Sequence, residues 1–135
     1  MSQNTTIMGL FDKVFGSNTQ ESAQDASWNS LEDMKELDVI EKQSHERPVA
    51  IFKHSTRCGV SRMAWSQFQK EHNISNDTME LYNLDILANR DISNEIAKRF
   101  GVVHQSPQLI VIKNGKSVYH ASHGSIDASQ LEQFI

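Results

Sequence analysis

Short dense apolar runs and helically spaced apolar residues take turns along this chain. The run VAIFKH at 49–54 opens with four consecutive apolar residues, which predicts a buried strand. Polar Ser55, Thr56 and Arg57 follow as a short loop. Beyond them Met63, Ala64 and Phe68 recur near helical intervals, so a helix begins around Cys58 and runs to about His72. Upstream, Leu31, Met34, Leu37 and Ile40 outline one face of a helix ending near Ser44, and His45-Glu46-Arg47-Pro48 turns the chain into the strand. Downstream, Met79, Leu81, Leu84 and Ile86 predict a second core strand. Ile92, Ile96, Ala97 and Phe100 predict a third helix, with Gly101 placed to cap it. QLIVIK at 108–113, the turn pair Asn114-Gly115 and the stretch 117–120 read as a β-hairpin. The segment 127–135 reads as a final short helix, with Asp127 and Gln130 spaced like a capping box.

The predicted order is helix, strand, helix, strand, helix, strand, strand, helix. A β-α-β unit makes its strands parallel through a right-handed crossover, and the hairpin adds antiparallel strands to the same sheet. The expectation is an α/β fold, a central mixed sheet flanked by helices with a C-terminal β-hairpin and helix. This order is similar to the thioredoxin layout. There a reactive cysteine opens the helix after the first central strand, and an X-Pro peptide before the hairpin faces it across a cleft. Cys58 and Ser106-Pro107 stand at those places, and a cis Ser106-Pro107 bond is expected.

The domain is expected to span 28–135. Before it, Ile7, Leu10, Phe11, Val14 and Phe15 follow helical spacing and suggest a short amphipathic helix, while 16–27 is polar and reads as a linker. Residues 1–27 are thus expected to be a flexible extension.

At 135 residues and 38% hydrophobic content, the chain suits one modest core. Thirteen basic against seventeen acidic residues give a net charge of -4 with no basic run, which argues against nucleic acid as a partner. No apolar run nears the ~20 residues a membrane span needs, and no secretory signal opens the sequence, so a cytoplasmic location is expected. The single cysteine excludes an internal disulfide.

That cysteine carries the candidate chemistry. A helix N-terminus has amide N-H groups without intrahelical partners and the positive end of the macrodipole, and a thiolate is an anion such a site stabilises. Free thiols titrate near pH ~8.5, and a cationic neighbour at a helix start lowers that value. Arg57 is the nearest cation here, with Lys53 or His54 as further contributors and Thr56 in the same polar loop, although His54 reads more readily as a hydrogen-bonded residue at the strand end. The plainer alternative is a cysteine packed as a small hydrophobe. Ser61, one helical turn on, stands where a two-cysteine enzyme keeps its resolving thiol. It cannot form that bond, although its hydroxyl can donate to the Cys58 thiolate. An external small thiol must then free Cys58, which predicts a monothiol cycle. Gly59 would let a substrate backbone approach closely. A cis bond at Ser106-Pro107 would turn the Ser106 backbone toward the sulfur. Arg57 would meet a carboxylate of the small thiol or simply be solvated, and Gly124 with Ser125 would receive an anionic group at the last helix start, where ordinary capping explains the same residues. His120 and His123 lack a carboxylate or cysteine at ligand spacing, so no metal is expected.

The segments FKHSTRCGVS, SPQLIVIKNG and SHGSI together make the chain resemble the YtxJ-type monothiol bacilliredoxin family, from about Trp28 to the C-terminus. The resemblance implies a thioredoxin-like oxidoreductase that removes bacillithiol from mixed disulfides on proteins. Its expected partners are S-thiolated proteins and bacillithiol or another low-molecular-weight thiol, and the expected state is a monomer. Two other functions compete with it. Cys-Gly-Val-Ser is close to the Cys-Gly-Phe-Ser of cluster-sharing monothiol glutaredoxins, but Gly124-Ser125-Ile126-Asp127 replaces their Gly-Gly-Asp signature. The other is a thioredoxin-like adaptor in which Cys58 is incidental.

Overall fold

The computed structural model describes residues 28–135. The expected helix and linker within 1–27 lie outside the described residues. The chain forms β1 (Asn29–Ser30), α1 (Glu36–Gln43), β2 (Val49–His54), α2 (Gly59–Glu71), β3 (Glu80–Asp85), α3 (Arg90–Phe100), β4 (Gln108–Lys113) and β5 (Lys116–Ser122). Two 3-10 segments follow, His123–Ser125 and Ala128–Phe134. One five-stranded sheet runs β1-β3-β2-β4-β5. β1, β3 and β2 are parallel, whereas β4 is antiparallel to both β2 and β5.

β2 is central because all six of its residues are buried. Strand alternation sends Val49, Ile51 and Lys53 to one face and Ala50, Phe52 and His54 to the other. The first face meets Leu37, Ile40, Ile92, Ile96 and Phe100 of α1 and α3, together with Ile110 and Ile112 of β4. The second meets Phe68 of α2, Leu81, Leu109, Val111 and Leu131. Phe52 anchors that layer, with its ring 5.0 Å from both Trp65 and Phe68.

Local chemistry sets the ends. Gly101 takes φ 67, the left-handed conformation that lets a helix C-terminus turn away without a Cβ clash. Asn114 (φ 54) and Gly115 (φ 77) make the tight hairpin turn. Their amides donate to the Ser44 carbonyl and hydroxyl, each at 2.8 Å, which fastens the hairpin to the end of α1.

Four details differ from the sequence reading. β1 is new: two exposed residues carry no periodicity, yet they pair with Tyr82 and Asn83. α1 starts at Glu36, so Leu31 reaches the core from the loop before it. The last helix is 3-10, and its expected capping box does not form. Asp127 accepts the Ser129 amide and hydroxyl, while the Gln130 side chain bonds Gln133 instead. Met63 points outward at 71% exposure, because the inward face of α2 runs through Ser61, Ala64, Trp65 and Phe68. Phe52 of β2, which packs under α2, and Met63 on the outer face of α2 should therefore respond unequally in denaturant unfolding. Phe52→Ala, which empties the ring cluster, should cost about 3–5 kcal/mol, and Met63→Ala should stay within about 0.5 kcal/mol of wild type. A large loss from Met63→Ala would place it in the core after all.

Candidate active site

Cys58 is the N-cap of α2 and is exposed. Its extended backbone (φ -99, ψ 120) ends the loop from β2, and its carbonyl accepts the Arg62 amide at 2.9 Å to begin the helix. No acidic residue sits in the first turn, so the helix N-terminus is left to the sulfur. The 55–57 loop is strapped down from both sides. Ser55 N-H donates to the Ser61 hydroxyl at 2.8 Å, Arg62 donates to the Thr56 carbonyl at 2.9 Å, and the Thr56 hydroxyl donates to Asp85 at 3.4 Å.

These bonds sort the expected site residues. Ser61 is buried and its oxygen serves the loop, which leaves its proton available to a neighbouring anion. Thr56 faces Asp85 and acts on loop shape. Arg57 is exposed and makes no side-chain hydrogen bond or ion pair among the described residues. A Cβ on Gly59 would meet nothing within 4 Å, so that position is open to solvent rather than packed.

His54 turns under α2 and stacks on Trp65 with centroids 5.1 Å apart and planes 2° from parallel. Asn83 and Asp85 lie near it, but neither ring nitrogen has a hydrogen bond of ordinary geometry. Burial outweighs those neighbours and pushes its pKa below the usual 6.5, so the ring is packed as a neutral aromatic.

The Ser106-Pro107 peptide is cis. Pro107 is buried and its carbonyl accepts the His123 amide at 3.1 Å, which fixes the β5 exit against it. Pro107, Val60, Met63, Gln67, Gly124 and Ile126 are among the walls of a groove of about 360 Å³ along α2. The groove brings one expected residue of the final turn, Gly124, to the same cavity as Pro107. Ser125 is exposed and does not line it. At the last helix start Asp127 accepts the Ser129 amide and hydroxyl, which hold its carboxyl below the ordinary range and supply the capping alternative to an anion site there. Among the described residues no three His, Cys, Asp or Glu side chains gather as a metal set, and no helix is long and apolar enough to cross a membrane.

One cluster escaped the sequence reading. Lys53, counted there among possible cations beside Cys58, is fully buried and directs Nζ to His104 Nδ1 at 3.1 Å, with Ser93 Oγ 3.2 Å from the same nitrogen. The available signal was a charged residue inside a run of residues buried on both faces.

The family model described as Monothiol bacilliredoxin BrxC matches residues 29–131. A solved structure provisionally described as an oxidoreductase with a thioredoxin fold is 35% identical, with a TM-score of 0.65 over 78% of this chain and 90% of its own. The Malassezia sympodialis thioredoxin Mala s 13 is 20% identical (TM-score 0.63, 86% and 92% covered). Mitochondrial thioredoxin 3 of Saccharomyces cerevisiae is also 20% identical (TM-score 0.60, 83% and 95% covered). The last two are similar to this chain in fold.

Burial lowers the Lys53 pKa from 10.5 to about 8. Between those values the unfolded chain binds the proton that the folded one releases, so stability from this group is full above 10.5 and lost as pH falls through about 8. Relative to Lys53→Met, wild-type unfolding free energy should rise by about 3 kcal/mol across that window in urea titrations. A constant difference between the two proteins would mean that Lys53 is not desolvated.

Proposed function

The chain belongs to the monothiol bacilliredoxin family, and on that premise we propose that it removes bacillithiol from mixed disulfides on proteins, with Cys58 as the nucleophile. The observation that carries this reading is an exposed sulfur at the N-cap of a thirteen-residue helix, in a sequence with no second cysteine. Family membership and the thioredoxin fold support thiol-disulfide oxidoreduction as the class of reaction.

The cycle balances with two exchanges. The Cys58 thiolate attacks the bacillithiol sulfur of the mixed disulfide. The protein thiolate leaves, and bacillithiol becomes disulfide-bonded to Cys58. A second bacillithiol thiolate then attacks that disulfide, regenerates the Cys58 thiolate and departs as bacillithiol disulfide. Ser61, holding the Ser55 amide, keeps the first turn in place and donates its own proton toward the sulfur. Exposed Arg57 meets a carboxylate of the small thiol. The groove beside Pro107 and Gly124 receives the rest of it, and Gly59 leaves the approach unobstructed. Ser106 takes no partner in the sheet ladder, so its backbone groups are free to pair with an extended substrate.

Cys58→Ser should abolish release of bacillithiol from a bacillithiolated protein, followed by mass spectrometry of that protein. Undiminished release would remove Cys58 from the reaction.

A further inference from the structure

Lys53 belongs to the strand that delivers the active-site loop, yet neither exchange of the proposed cycle involves its ammonium directly. A buried ammonium is far less favourable than a methionine of similar length, and among the described residues no carboxylate pairs with it. Its one short contact is His104, which lies on the segment leading into Ser106-Pro107. The cross-strand partner of Lys53, Gln108, grips the same segment: its Nε2 donates to the Val103 carbonyl at 3.0 Å and its Oε1 accepts the Gln105 amide at 3.4 Å. Three side-chain ties therefore hold the proline loop to the sheet, and one of them is charged.

We propose that Lys53 and His104 are positioning residues, a charge-assisted latch that holds the Ser106-Pro107 loop against the strand ending at the Cys58 loop, and that thiol exchange depends on it. This rests on the thiol-exchange reading of Cys58. With the lysine protonated, His104 Nδ1 is the acceptor and the imidazole proton sits on Nε2. Protonating the ring removes the acceptor. Deprotonating the lysine removes the charge that strengthens the bond. The groups that face the latch are Ser93 and Arg90 from α3 and Gln108 from β4. Burial, with Lys53 and Arg90 adding to it, holds His104 below its usual 6.5, and Lys53 titrates at about 8. The latch is engaged between those limits.

The test compares wild type with Lys53→Met, His104→Leu and His104→Asn. It reads the rate of Cys58 exchange with a bacillithiolated protein from pH 5.5 to 9.5 and amide hydrogen exchange at Gln105. The ratio of wild-type to variant rate removes the pH effects that the proteins share. That ratio should be roughly tenfold at pH 7 for Lys53→Met and for His104→Leu, and should fall toward one above pH 8. The Gln105 amide should exchange faster in both, whereas His104→Asn, which keeps an acceptor near the Nδ1 position, should restore most of the rate and protection. Either of the first two variants suffices if the other does not fold. Unchanged rate, or a slowed rate with unchanged Gln105 protection and no dependence of the ratio on pH, overturns the latch. If wild type itself does not exchange through Cys58, the thiol-exchange reading fails, and faster Gln105 exchange alone decides for the latch or against it.

Discussion

The hydrogen bond from the Ser55 amide to the Ser61 hydroxyl joins the end of the central strand to the first turn of α2, and the presentation of the sulfur depends on it. Without that bond the loop before Cys58 would keep only its ties through Thr56 to Arg62 and Asp85 and the Cys58 amide's bond to the Ser55 carbonyl. With it, the helix N-terminus sits at a fixed place over the carboxyl ends of the strands. Serine at this position does two jobs that a resolving cysteine would exclude. It supplies an oxygen to close the loop, and in the proposed cycle its lack of a thiol leaves the mixed disulfide to an outside thiol.

The sheet explains why such a small domain can hold this geometry. Val49, Ile51, Ala50 and Phe52 are covered on both faces, so β2 cannot shift register without exposing one set of them. His54 and Lys53 extend the same alternation to the strand end, one stacked beneath α2 and the other aimed toward α3 and the proline loop. The strand thus fastens the helix that bears the cysteine through one face and the loop that bears Pro107 through the other.

The fold was legible because its signals are local and agree with one another: an apolar run before Cys58, Gly101 after a periodic helix, Asn114-Gly115 between two strands. The cis peptide was expected from the likeness to the thioredoxin layout, with the cysteine motif upstream of Ser106-Pro107. The missing details are tertiary. A two-residue strand at Asn29 has no pattern to read, and Met63 satisfies helical spacing while facing solvent, since spacing gives a period and not its phase. Asp127 chose Ser129 over the box because the segment wound as a 3-10 helix. The Lys53-His104 contact joins residues 51 apart, beyond the reach of any window along the chain.

The central proposal is that Cys58, exposed and without a second cysteine in the chain, must be freed from a mixed disulfide by a thiol from outside. It is tested most directly by incubating the reduced protein with bacillithiol disulfide, removing the excess, and following the intact mass. One bacillithiol adduct on Cys58, stable alone and released on adding free thiol, is the result this structure predicts. No adduct, or an adduct lost without any added thiol, would contradict it.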